Sequence, residues 1–268
     1  QELYENLKIS DINVYRVPGP LDLTFFSKLP KLIGDRPDLK YPSFVPQPSP
    51  AFLRQGDIFS VLRDRDVILN HPFESFSPVI ELIQQASRDP NVLAIKQTLY
   101  RVSGQSPIIT ALAAAAEAGK QVLVLVELKA RFDEENNIQW AKKLEKAGCH
   151  VIYGLVGLKT HSKITLIVRE EEDEIRRYVH LGTGNYNDIT AGIYTDLGLM
   201  TSSETFGRDA TDFFNMITGY SIPLGLRKLI AAPRWLREDT ISRIKQEARN
   251  ATERNADQIG RASCRERV

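Results

Sequence analysis

From Ile58 to about Ser221, short apolar runs alternate with longer segments whose apolar residues recur three and four positions apart. That is the pattern of strands and amphipathic helices in turn. Ser77 followed by Pro78 reads as an N-cap with proline at the first helical position, and Val79, Ile80, Ile83 and Ala86 then mark one face. A helix ending near Asp89 and Pro90 is predicted. Val92–Tyr100 is a β-rich run, Ser106 and Pro107 repeat the helix-start chemistry, and the alanine-rich segment after them stops at Gly119. Gln121–Leu128 is a nearly continuous apolar strand, followed by a helix over about Glu134–Ala147 and a short strand at His150–Tyr153. Apolar strands separated by helices predict an α/β fold with a mixed, largely parallel sheet covered by helices on both faces.

The rhythm then changes. Lys163–Val168 and Arg176–Leu181 read as strands joined by Glu170-Glu171-Glu172-Asp173-Glu174, most simply a solvated hairpin turn. Five adjacent acidic residues with no glycine spacing do not make a calcium loop. Helical periodicity returns over Glu204–Tyr220 and Leu236–Asn250. Upstream, Ile12–Val17 is strand-like, and Pro42, Pro46, Pro48 and Pro50 predict a stiff extended connector. The expected organisation is therefore residues 1–50 as the tail of a preceding domain with its linker, 51–221 as one α/β domain, 222–258 as a helical segment too short to be a domain, and 259–268 as foreign. Those last ten residues back-translate into what looks like a sequencing-adapter read, and both ends of the chain look cut.

Composition narrows the function. Thirty-five basic against thirty-four acidic residues give a net charge of +1, so there is no global field to attract nucleic acid or anionic lipid. An anion site must be local. No run is long enough for a membrane helix, and two cysteines, Cys149 and Cys264, make neither a disulfide framework nor a four-ligand zinc site. A reducing, cytoplasmic setting is expected, with Cys149 a small core residue.

Of the four histidines His71, His150, His161 and His180, context singles out His161. A glycine-containing loop, Gly157-Leu-Lys-Thr-His-Ser-Lys163, delivers it to the start of a strand, where the two-residue period puts His161 and Lys163 on one face. A neutral imidazole nitrogen is a nucleophile, and a neighbouring ammonium stabilises charge on the anionic group that it attacks. Arg101 and Arg131 lie just beyond the carboxyl ends of strands expected to be parallel, where open α/β sheets bind ligands and guanidinium forks grip phosphate. Either arginine alone is equally well read as a surface residue paired to Glu134 or Glu135. The turn after His180, Gly182-Thr-Gly-Asn185-Tyr-Asn187, offers amides and asparagine side chains to an anion. Tyr194 can stack on a base, though core packing is the commoner role for such a tyrosine. The spacing of a Walker phosphate loop is absent.

These segments together resemble polyphosphate kinase of the long-chain type. The matching stretches are Asp66-Val-Ile-Leu-Asn-His-Pro-Phe-Glu-Ser75, Ile95-Lys-Gln-Thr-Leu-Tyr-Arg101, Val126-Glu-Leu-Lys-Ala-Arg-Phe-Asp-Glu-Glu-Asn-Asn137, Gly154-Leu-Val-Gly-Leu-Lys-Thr-His-Ser-Lys163 and His180-Leu-Gly-Thr-Gly-Asn-Tyr-Asn187. The resemblance implies a phospholipase D-like catalytic domain over 51–221, and in 222–258 the start of a second. It implies that His161 becomes a phosphohistidine when it takes the terminal phosphate of ATP, releasing ADP, and passes it reversibly to polyphosphate. Lys163 and His180 are expected beside it in catalysis, Tyr194 and Asn185 at the nucleotide, and Arg101 and Arg131 at phosphates that carry magnesium (Mg2+). It further implies self-association of the full-length protein, peripheral membrane contact in some members, no nucleic acid, and inactivity of this stretch alone. Two rivals remain: a phospholipase D-type phosphodiesterase or nuclease, whose pattern wants an aspartate where Val168 stands, and a non-catalytic polyphosphate-binding module.

Overall fold

The structure is a computed structural model, and it describes residues 2–34, 36–42, 44–53, 57–102, 105–128, 134–155, 157–172, 174–219 and 221–252. The expected foreign tail, 259–268, lies outside the described residues. The chain divides into two compact units, Gln1–Val45 and Pro46–Val268. The first carries two short helices, α1 (Glu2–Leu7) and α2 (Phe25–Leu32), and two single 3-10 turns. Ile12–Val17 is not a strand: it opens within the 3-10 turn Asp11–Asn13 and continues without regular structure. β-rich composition does not make a strand unless a neighbour supplies the ladder.

In the second unit Asp57 caps α3 (Ile58–Asp64), its carboxylate accepting from the Phe59 and Ser60 amides. The remaining elements follow in chain order: β1 (Val67–His71), α4 (Ser77–Arg88), β2 (Val92–Leu99), α5 (Pro107–Glu117), β3 (Gln121–Val126), α6 (Glu134–Lys146), β4 (His150–Tyr153), β5 (Ile164–Glu170), β6 (Ile175–Gly182), α7 (Asp188–Ala191), β7 (Asp196–Thr201), α8 (Glu204–Ile217) and α9 (Leu236–Thr252). Ser106 caps α5 as expected, accepting from the Ile109 amide. Ser77 does not cap α4; Phe76 occupies that position, and the Ser77 hydroxyl accepts instead from Ser75.

The seven strands form one sheet in the order β1-β7-β6-β5-β2-β3-β4. Only β2·β3 and β3·β4 pair in parallel; the other four pairings are antiparallel. The mixed α/β sheet stands, but the expected parallel majority does not. Parallel pairing needs a helical crossover, which α5 and α6 provide, whereas β5 and β6 are joined by a tight turn and can pair only antiparallel. β1, the edge strand, and β7 beside it escaped the sequence reading because both are short and interleave exposed with buried residues.

Alternation along the strands sends side chains to two cores. Leu69, Ile95, Val124, Ile167, Tyr178 and Met200 meet α3, α4, α5 and α6 on one face, while Leu125, Leu166 and Val179 meet α8 on the other. Cys149 sits in the first core, its thiol pushed up to about 11 by burial and by the charge of Glu117. At Gly207 a side chain would come within 2.7 Å of Arg177 Cβ, which is why α8 can approach β6 there.

The β5–β6 turn is not simply solvated. Glu171 is 8% exposed at its side chain and binds Arg63 at 2.8 Å and Arg169 at 2.7 Å, while the Tyr178 hydroxyl donates to it at 2.6 Å. Burial works against its charge, but the Tyr178 hydrogen bond and the Arg169 guanidinium outweigh that and hold its carboxyl below the usual range. Asp89 closes the network on Arg169 at 2.8 Å. Replacing Glu171 by alanine strands these cations and the buried phenol. It is expected to cost about 3 kcal/mol in urea unfolding, with Arg63→Ala, at a more exposed position, costing much less.

Candidate active site

The candidate site lies at the carboxyl edge of β2 and β3, where β5 begins because it runs antiparallel to β2. Thr98, buried near the end of β2, fastens the junction: its hydroxyl donates to the Ser162 carbonyl at 2.8 Å and accepts from the Ile164 amide at 3.1 Å. These two bonds hold the residues on either side of Lys163. Next to them, Asn137 on α6 donates to the carbonyls of Tyr100 at 2.8 Å and Glu127 at 2.9 Å, tying together the ends of β2 and β3.

The Glu127 carboxylate, also buried, accepts from the Thr160 amide at 2.9 Å and so fixes the residue before His161. A side chain added at Gly154 would meet the same carboxylate at 3.7 Å, and with φ +61° the loop passes Glu127 in a conformation that other residues adopt only under strain. His161 is exposed, and its ring meets the edge of Tyr100 with centroids 5.2 Å apart. Lys163 is 6% exposed; its ammonium donates to the His161 carbonyl at 2.5 Å and lies 5.3 Å from the Tyr100 ring centroid. Partial burial, then the Lys163 charge, lowers the His161 pKa below that of a free imidazole, so the ring is neutral at pH 7 and keeps a nitrogen lone pair.

Arg101 is half-buried and follows Tyr100 in the chain, just beyond the carboxyl end of β2. Arg131 lies outside the described residues. Tyr194 is 59% exposed beyond α7, so it is not a core tyrosine. Among the described residues no three His, Cys, Asp or Glu side chains gather as a metal site. Guanidinium nitrogens carry no free lone pair, so Arg101 and Arg131 fit phosphate oxygens and not a magnesium ion itself.

His180 is elsewhere in character. It is 2% exposed, and no hydrogen bond or ring contact joins it to His161 among the described residues. Thr165 donates to the Tyr186 hydroxyl at 2.8 Å, which leaves the Tyr186 proton for His180 Nδ1, also at 2.8 Å. Burial raises the Tyr186 pKa and keeps that proton in place. His71 lies on the same face, its Nδ1 donating to the Glu74 carbonyl at 2.9 Å. In the turn between, Asn187 is occupied as the α7 cap and Thr183 bonds Asp196 at 2.7 Å, so of that expected anion cradle Asn185 is the side chain without such a duty. Sequence reasoning missed Tyr100, Glu127 and Asn137. A carboxylate closing the apolar strand Gln121–Leu128 was the signal available.

Two measurements test this arrangement. Thr98→Val keeps the shape but leaves the Ser162 carbonyl and Ile164 amide unpaired, and is expected to cost about 1–3 kcal/mol in urea unfolding. Burial, and secondarily the charge of His71, pushes the His180 pKa down to about 3, so between pH 6.5 and 3 the unfolded chain binds a proton that the native one refuses. Native stability therefore falls as pH falls through that window, by up to about 1.4 kcal/mol per unit, and His180→Asn is expected to remove that slope.

Comparison with known proteins follows the same segments. Residues 57–223 match the family model described as polyphosphate kinase C-terminal domain 1. A curated polyphosphate kinase of Halalkalibacterium halodurans is 60% identical over 246 residues, covering 91% of this chain and 35% of that protein. One from Streptomyces coelicolor is 54% identical, covering 91% of this chain and 33% of that protein. The crystal structure of polyphosphate kinase from Porphyromonas gingivalis superposes with a TM-score of 0.71 at 32% identity, over 81% of this chain and 37% of that one. The chain thus spans about a third of the length of these relatives. With the family model covering more than half of its residues, this chain belongs to the polyphosphate kinase family.

Proposed function

We propose that in the full-length protein this chain carries the nucleophile of a cytoplasmic, reversible ATP–polyphosphate phosphotransferase, and that His161 is the residue phosphorylated. The observation that carries the reading is the neutral, exposed imidazole beside a buried ammonium. A ring nitrogen of His161 forms a bond to the terminal phosphorus of ATP as the bond from that phosphorus to the bridging oxygen breaks, and ADP leaves with the electron pair. A terminal oxygen of polyphosphate then attacks the same phosphorus, the P–N bond breaks, and the neutral ring returns. Lys163 balances the negative charge on the phosphoryl oxygens, and Arg101 and Arg131 grip the flanking phosphates. Magnesium would travel on those phosphates, with Tyr194 and Asn185 contributing to nucleotide binding.

Residues 222–258 are read as the beginning of a second catalytic domain. The buried carboxylate of Asp209 on α8 supports an ordered passage into it, accepting from the amides of Arg227, Lys228 and Leu229 at 2.9, 2.6 and 3.0 Å. Because the chain covers 35% of its relative's length, turnover by these 268 residues alone is not expected. Val168, packed toward the α8 core, offers no carboxylate for a diesterase.

Incubating the full-length protein with γ-labelled ATP and magnesium is expected to give acid-labile label that His161→Ala abolishes. Lys163→Met is expected to slow labelling by about 10²–10³-fold. Labelling should also slow as pH falls through the lowered His161 pKa, because the proton then occupies the attacking lone pair. A folded protein that takes no label, or label that survives in His161→Ala, refutes the assignment.

A further inference from the structure

A small cavity of about 10 Å³, room for one water molecule, lies among His71, His180, Asn185 and Gly198. Three buried polar atoms at this cavity have no hydrogen-bond partner among the described residues: His71 Nε2, His180 Nε2 and Asn185 Oδ1. Both imidazoles are themselves more than nine-tenths buried. They face one spot, since a methyl placed on Gly198 would stand 3.0 Å from His180 Nε2 and 3.6 Å from His71 Nε2. Glycine at that position is what leaves the space.

The tautomers follow from the partners at the opposite ring nitrogens. His71 Nδ1 donates to a carbonyl, so in the neutral ring its Nε2 carries a lone pair. His180 Nδ1 accepts the Tyr186 proton, so its Nε2 carries the hydrogen. One donor and two acceptors therefore surround the cavity. A water molecule, which can accept one bond and donate two, satisfies all three. A phosphate or other anion would meet the His71 lone pair and the Asn185 oxygen, and a cation would meet the His180 N–H with only two imidazoles in reach. The set has the chemistry of neither.

We propose that one internal water sits over Gly198, accepting from His180 Nε2 and donating to His71 Nε2 and Asn185 Oδ1, and that it thereby turns the Asn185 amide so that its Nδ2 hydrogens face outward to an anion. The water site stands on the geometry alone; the anion rests on the phosphotransfer reading above. His180 is then a positioning residue whose bond network, His71–water–His180–Tyr186–Thr165, reaches β5 two residues after Lys163. An ordered water here supplies the partners that buried imidazole and amide groups require.

With four histidines in the chain, ¹⁵N-histidine labelling resolves each ring by NMR. The expected spectrum has His180 in the neutral Nε2–H form, His71 in the Nδ1–H form, and an exchange cross-peak from His180 Nε2–H to water. Gly198→Ala places a methyl in the cavity and is expected to remove that cross-peak. Should the variant fail to fold, the unsubstituted chain still decides the matter. His180 in the Nδ1–H form, absence of the water cross-peak, or a His71/His180 shift on adding zinc or magnesium overturns the water site. In the full-length enzyme Gly198→Ala is expected to raise KM for ATP about two- to tenfold with kcat little changed. An unchanged KM overturns the role given to Asn185 and leaves His161 labelling, measured separately, untouched.

Discussion

The site depends on the Thr98 hydroxyl. By bonding the Ser162 carbonyl and the Ile164 amide, it joins the carboxyl end of β2, the first strand of a parallel β-α-β unit, to the first residues of an antiparallel hairpin. Those two halves of the one sheet differ in strand direction, parallel on one side of β2 and antiparallel on the other. Their junction puts the start of β5 against the end of β2, and with it brings His161 and Lys163 to Tyr100. Asn137 and Glu127 reinforce the same edge with bonds to main-chain groups, so the loop before His161 is held by side chains where no ladder is available.

His161, in the loop leading into β5, and His180, on β6, illustrate how environment changes identical side chains. His161 lies at the rim, where partial burial and the Lys163 charge lower its pKa. His180 lies inside, where burial makes a charged ring prohibitively costly and both nitrogens are left to hydrogen bonding. Exposure is what separates the two rings: one is open to a ligand and the other is not. The charge network at the other end of β5, centred on Glu171, is of a third kind: it is buried and fully paired, and it serves stability.

Periodicity and caps placed α4, α5, α6, α8 and the strands β2 to β6 within a few residues, because these elements bury a regular face that local sequence must encode. The sequence also singled out His161, Lys163 and Arg101, since polar residues at the end of an apolar strand have few structural reasons to be there. It did not reveal the antiparallel majority of the sheet, because strand direction depends on which strands meet and on no residue within either. Glu171 read as a solvated turn residue for the same reason. Its partner Arg63 comes from a segment about a hundred residues away, and Asp89, which binds the Arg169 that Glu171 shares, lies about eighty residues from that arginine; neither is visible until the chain closes.

What the sequence by itself determined is therefore local and chemical: where strands and helices lie, and which side chains can attack, donate or grip. What the tertiary structure decided is adjacency. It brought Tyr100 edge-on to His161, aimed Glu127 at the loop before it, and turned His71 and His180 toward a common hollow over Gly198. Hydrogen bonds and desolvation act over a few ångströms of space, and distance along the chain says nothing of them until the sheet has formed.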